Sequence, residues 1–222
     1  MEIWQNNWRP SLPESKKKKT PKTNGSAHSK TRTKSPIKKT TKENEPQKTF
    51  NFSDPILVLA LDPATYTTGY AILKVMPDKE IKFLKAGHFS VPKGVKYGER
   101  MHLLREKVLL LIDKVKPTNL VIEKPFSGKN KLTFLQLAGG YGILTQIAFE
   151  KNLPLIAMPP TDAKTHFLGT SRMKGEESKR KIRVILESLY NTTFQIDDES
   201  DALSTGITGI EKYLLEGIDE HY

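Results

Sequence analysis

From residue 54 onward the apolar positions change their period several times, and each change predicts an element. Residues 56–61 form an unbroken apolar run, which suits a central strand covered on both faces. The run stops at Asp62-Pro63. Residues 65–69 read as a turn and 70–75 as a second strand. After Pro77-Asp78, residues 81–91 read as a third, giving an antiparallel meander. From Tyr97 the spacing becomes three and four. Met101, Leu104, Val108, Leu111, Ile112 and Val115 line one face of a helix that Pro117 closes. A short buried strand (119–123), an apolar-faced helix (132–151) and a fifth strand (153–158, ended by Pro159-Pro160) follow. A basic helix over 176–190 comes next, and a last helix starts near Glu199 with Leu203, Ile207, Ile210 and Leu214 inward. The order βββαβαβαα predicts an α/β fold, a mixed five-stranded sheet whose first three strands are antiparallel, with helices on both faces.

Ahead of residue 50 this patterning is missing. Residues 1–50 hold 13 Lys and Arg against four Glu, so they carry nine of the chain's eleven net positive charges. Between Pro10 and Lys48 the only aliphatic residues are Leu12, Ala27 and Ile37. Such a segment has too little apolar area to offset its ordering entropy. Residues 1–52 are therefore expected to be a disordered Lys-rich tail, ahead of one domain at 53–222. The tail suits sequence-independent contact with a nucleic-acid backbone, although a solubilising segment has the same composition. Trp4 and Trp8, at i, i+4 spacing, would share one face of a short helix able to dock a partner protein.

With no cysteine in 222 residues, a disulfide framework, a Cys-ligated zinc and an iron–sulfur cluster are excluded. No stretch approaches the roughly 18–20 uninterrupted apolar residues of a bilayer span. The N-terminus lacks the apolar core of a secretory signal. The expectation is a protein outside the membrane, not secreted, in the cytoplasm or another DNA-containing compartment, with a polyanionic partner.

The acids narrow the chemistry. Asp62 closes the first strand and Glu123 the fourth. If those strands are neighbours, the two carboxylates converge at one end of the sheet. Asp198 and Asp201 stand at i, i+3 at the start of the last helix, on one face. Like charges this close raise one another's pKa unless a cation intervenes. All-oxygen ligation selects Mg²⁺, with Mn²⁺ as a substitute. Two such ions about 4 Å apart activate a water and stabilise the leaving oxygen of a phosphodiester. Taken singly, each acid has a plainer reading as a turn starter, a helix cap or a surface ion pair.

Four blocks resemble the RuvC family of Holliday-junction resolvases, in the ribonuclease H-like superfamily. They are Leu59-Ala-Leu-Asp62-Pro63-Ala-Thr-Tyr-Thr-Thr-Gly69-Tyr70, Val121-Ile-Glu123-Lys-Pro-Phe126, Leu135-Gln-Leu-Ala-Gly-Gly-Tyr-Gly142 and Asp198-Glu-Ser-Asp201-Ala202-Leu203. The resemblance implies a ribonuclease H-like sheet and identifies Asp62, Glu123, Asp198 and Asp201 as metal-binding acids holding two Mg²⁺ ions. It implies a homodimer that nicks opposing strands of a four-way DNA junction. Phe126 falls where the family places an aromatic that enters the crossover, and an exposed ring there can stack on unpaired bases. Lys164 falls at a basic catalytic position, with Lys174 or Lys179 as the second; a lysine there neutralises charge developing in the transition state. Lys129 and Lys131 are further phosphate contacts. Ala64 stands where the family has Gly, Lys124-Pro125 replaces a neutral pair, and the basic tail lies outside the family pattern. Two other readings compete: a nucleic-acid binding protein on an inactive nuclease scaffold, and a ribonuclease acting on RNA or an RNA–DNA hybrid.

Overall fold

The computed structural model describes residues 53–126, 128 and 130–215. The expected tail at 1–52, with Trp4 and Trp8, and Lys129 lie outside the described residues. Five strands form one sheet: β1 (Ile56–Pro63), β2 (Thr67–Val75), β3 (Ile81–Ser90), β4 (Asn119–Glu123) and β5 (Leu155–Met158). Their order is β3-β2-β1-β4-β5. β1–β2 and β2–β3 pair antiparallel, β1–β4 and β4–β5 parallel. This is the expected mixed sheet, and β1 and β4 are neighbours in it.

The apolar run of β1 is buried on both faces because its alternate residues enter two different cores. Leu59 and Leu61, with Leu120 and Ile122 of β4, pack against α1 (Tyr97–Val115) and α2 (Lys131–Glu150) through Leu104, Val108, Leu144 and Ile147. Val58 and Ala60, with Val121, pack on the opposite face. There they meet α4 (Gly175–Tyr190) and α5 (Asp197–Gly209) through Ile182, Leu186, Leu203 and Ile207. Each such Leu or Ile contributes roughly 1.5–3 kcal/mol of burial. A period-2 strand with apolar side chains at both parities can only be central.

α2 is the one described helix long and apolar enough, by length and composition, to cross a membrane. Its Gly140, Leu144, Ile147 and Ala148 are instead buried within the domain.

The structure corrects three expectations. The turn after β1 is shorter than 65–69: the Ala64 N–H donates to the Thr67 carbonyl at 2.9 Å, and the β-branched Thr67 and Thr68 already belong to β2. The last helix starts at Asp197 rather than Glu199. Pro159-Pro160 ends β5 as expected, but the expected order has two helices after that strand and the structure has a third, α3 (Pro160–Leu168). Pro160 is at its first turn, where a missing N–H costs nothing, and Gly169 caps its end with φ 66°. α5 runs on into a π-helical stretch, Ile210–Leu215. From that stretch Lys212 and Tyr213 both donate to Asp162 of α3, at 2.6 and 2.7 Å, which fixes α3 against the domain.

Candidate active site

Strand parity brings the acids together. Asp62 follows Ala60 by two residues, and Glu123 follows Val121 by two, so both carboxylates point to the α5 face. The parallel register aligns Leu61 with Ile122, one residue before each acid. α5 approaches from that side with Asp198 and Asp201 in its first turns. Carboxylate oxygens of Asp62, Asp198 and Asp201 lie within 4.8 Å of one another.

Two local devices hold the start of α5. Ile196 offers no side-chain cap, but the buried Glu199 reaches back to accept from the Gln195 N–H at 2.8 Å and from His88 Nδ1 on β3 at 2.7 Å. Arg183 of α4 donates to Asp197 and to the Phe194 carbonyl, while Glu187 accepts from the Phe194 N–H. The second device is Gly69, the β2 partner of Asp62 in the ladder. A Cβ at position 69 would stand 1.9 Å from the Asp198 carbonyl oxygen. Only a glycine lets the α5 backbone reach the strand there.

The electrostatics are those of an anionic cluster short of cations. Burial pushes the Asp62 carboxyl well above the usual carboxylate range. Glu123, Asp201 and Asp198 add to this, and Lys179 opposes it. Burial, then Asp201, raises Glu123 to about 7 against the pull of Lys179 and Lys164. Burial also raises Asp198 and Asp201. Burial alone would lower the Lys179 pKa, but Asp201, to which it donates a hydrogen bond, together with Asp62 and Asp198 outweighs that and raises it.

These shifts set a pH dependence. A carboxyl whose folded pKa is raised contributes stability below its unfolded value, near 4, and that contribution is lost as pH rises through the folded value. For Glu123 the window closes at about 7. Without divalent cations, the thermal midpoint is therefore expected to fall between about pH 5 and pH 8. Millimolar Mg²⁺ should restore it at the higher pH and do little at the lower one. Scanning fluorimetry with and without Mg²⁺ checks this; a midpoint that Mg²⁺ leaves unmoved at pH 8 would contradict it.

The donors fit a hard divalent cation: Asp62, Asp198 and Asp201 offer carboxylate oxygens at short mutual distance, and burial together with neighbouring acids holds Asp62 and Glu123 above the usual carboxylate range. An open cleft of about 480 Å³ leads to them. Its lining includes Asp62, Glu123 and Asp198, with Lys164, Lys179 and Phe126. Phe126 is 68% exposed beside the acids, not buried under the strand end. Of the two lysines that the spacing left open, Lys179 reaches the cleft, while Lys174 precedes α4 as an exposed residue outside the lining. Lys131 is the exposed first residue of α2. His166 of α3 pairs with Glu211 at 3.2 Å.

Sequence reasoning missed α3, which carries Lys164 and Thr161 into the cleft, and Ser171 just beyond it. It also missed the closeness of Gly69 to Asp198; a lone glycine inside a strand pattern is the signal that could have found it.

A family model described as "Crossover junction endodeoxyribonuclease RuvC" matches residues 58–209. Among curated proteins, a crossover junction endodeoxyribonuclease RuvC of Prochlorococcus marinus is 27% identical over 155 residues, 70% of this chain and 98% of that protein. Its counterpart in Protochlamydia amoebophila is 25% identical over 166 residues, 74% of this chain and 96% of that one. Among solved structures, Thermus thermophilus RuvC matches with a TM-score of 0.59 at 16% identity, over 72% of this chain and 98% of that chain. The T. thermophilus RuvC in complex with Holliday junction substrate matches with a TM-score of 0.58, also at 16% identity, over 71% and 96%. At that identity the structures speak for the fold.

Proposed function

The chain belongs to the RuvC family of crossover junction endodeoxyribonucleases, and from that premise we propose that it resolves four-way DNA junctions by metal-dependent hydrolysis of opposing strands. The observation that carries the reading is the convergence of Asp62, Asp198 and Asp201, with Glu123 on the neighbouring strand, at one end of the sheet. Bare carboxylates repel phosphates, so a cluster of them at the foot of an open cleft suits a nuclease better than an inactive DNA-binding scaffold.

Asp62, Glu123, Asp198 and Asp201 would hold two Mg²⁺ ions, which when bound supply an activated water and a stabilised leaving oxygen. Lys164 and Lys179, both lining the cleft, neutralise charge that develops on the phosphate. Phe126 stacks on bases unpaired at the crossover, and Lys129, Lys131 and Lys174 contact the DNA backbone. The test is strand mapping on an end-labelled junction in Mg²⁺. Paired nicks at symmetric positions on opposing strands, with ligatable ends, are expected. Unpaired nicks scattered over all four strands would count against resolution.

A homodimer supports the paired cut. α2 exposes Leu132, Leu135 and Phe149, and Leu135, Gly142 and Phe149 recur at seven-residue spacing on one face of the helix. On this reading the dimer interface lies on this face of α2, where large apolar side chains are exposed. Leu135→Glu is expected to convert the dimer to a monomer in light scattering and to uncouple the two nicks. A variant that stays dimeric would place the interface elsewhere.

A further inference from the structure

We propose that Tyr66 and Tyr97, with Lys93 and Lys96, form a second DNA-contact surface beside the four-acid cleft, one that takes the sugar–phosphate backbone of a junction arm. The inference rests on the nuclease reading above and extends it to a part of the molecule outside the cleft. The topology puts these residues at the working end of the sheet. β1 ends there at Pro63, β2 begins there, and β3 ends there at Ser90, which pairs with Thr67. The β1–β2 turn and the β3–α1 loop are tied together by the Val91 N–H, which donates to the Tyr66 carbonyl at 2.8 Å. Pro63 and Ala64 line both the four-acid cleft and a small cavity next to Arg100, so the two regions adjoin.

The surface is built on a buried cation. Arg100 is only 4% exposed, and its guanidinium carbon lies 4.7 Å from the Tyr66 ring centroid and 5.4 Å from that of Tyr97. Its Nε has no hydrogen-bond partner among the described residues. Aromatic faces offset part of the cost of a buried positive charge, which holds both rings in place beneath the exposed loop. The rings themselves are 39% and 41% exposed, far less than Phe126. Each is anchored beside the guanidinium. The Tyr97 hydroxyl sits against Gly139 of α2, where a Cβ would stand 1.7 Å from it, so that ring offers its exposed side to a deoxyribose while Tyr66 and the lysines are the groups suited to a phosphate. Lys93 and Lys96, both exposed on the adjoining loop, add two ammonium groups.

Binding separates this from the catalytic reading. Affinity for a four-way junction would be measured across a salt series in the Asp62→Asn background, where cleavage does not intervene. Lys93→Ala/Lys96→Ala should weaken binding about fivefold or more at moderate salt and make the log–log salt slope shallower by about 2. Tyr66→Ala should weaken binding about threefold to tenfold with the slope unchanged. Unchanged affinity and slope in the lysine pair, at an unchanged thermal midpoint, would overturn the proposal. Those two side chains are exposed, so the result stands even if Tyr66→Ala proves unstable. If the Asp62→Asn parent binds no branched DNA, the nuclease reading fails and this inference with it. A parent that binds, matched by both variants, sinks this inference alone.

Discussion

Replacing Asp62 with asparagine is expected to lower junction cleavage by about a thousandfold or more, because a metal ligand supplies several kcal/mol of transition-state stabilisation. Junction affinity should stay within about threefold, since the carboxylate faces the other acids rather than a DNA phosphate. The same change should raise the thermal midpoint of the metal-free protein. Asp62 is held above its ordinary pKa by burial and by three neighbouring acids, so its charge opposes folding wherever it is ionised. Asparagine keeps the shape and removes that charge. Loss of activity together with a gain of stability is the signature of a site shaped for a cation. A merely structural aspartate would lose stability on the same substitution. Cleavage assays, a binding isotherm and a melting curve on one protein preparation decide between them.

The second large effect concerns a residue with no chemistry. Gly69→Ala places a methyl 1.9 Å from the Asp198 carbonyl oxygen, and that obstacle is backbone rather than a side chain that can turn away. Overpacking typically costs about 1–3 kcal/mol, and here relief requires moving the start of α5. A 1 Å displacement of a catalytic group can cost about a hundredfold in rate. The variant should therefore fold with a lowered midpoint, lose at least that factor in cleavage and lose the Mg²⁺-induced rise in midpoint at pH 8. Normal cleavage by Gly69→Ala would show that Asp198 does not need its place against β2.

Much of the fold was legible because the apolar pattern is unambiguous where elements are buried. The two-parity run of β1 specified a central strand, and the three-and-four spacing from Met101 to Val115 specified α1. The site followed from strand ends: once β1 and β4 are adjacent, parity alone sends Asp62 and Glu123 to the same face. The parts that were not legible depend on contacts distant in sequence. α3 is only nine residues long, and the prolines that correctly mark the end of β5 also open it, so local signals showed the strand's end and not the helix. Its position is secured by Asp162, whose partners Lys212 and Tyr213 lie about fifty residues away in sequence. The preference for Lys179 over Lys174 likewise rests on Asp201, which spacing along α4 does not reveal.

The central claim is that four carboxylates at the end of this sheet make a metal-dependent nuclease selective for four-way junctions. Its most direct measurement is cleavage of a junction, a flap, an RNA–DNA hybrid and a linear duplex side by side, in Mg²⁺ and in EDTA. Rapid cleavage of the junction in Mg²⁺, slow or absent cleavage of the other three, and none of any substrate in EDTA is the predicted result. Cleavage that persists in EDTA, or that favours the hybrid or the linear duplex, would contradict it.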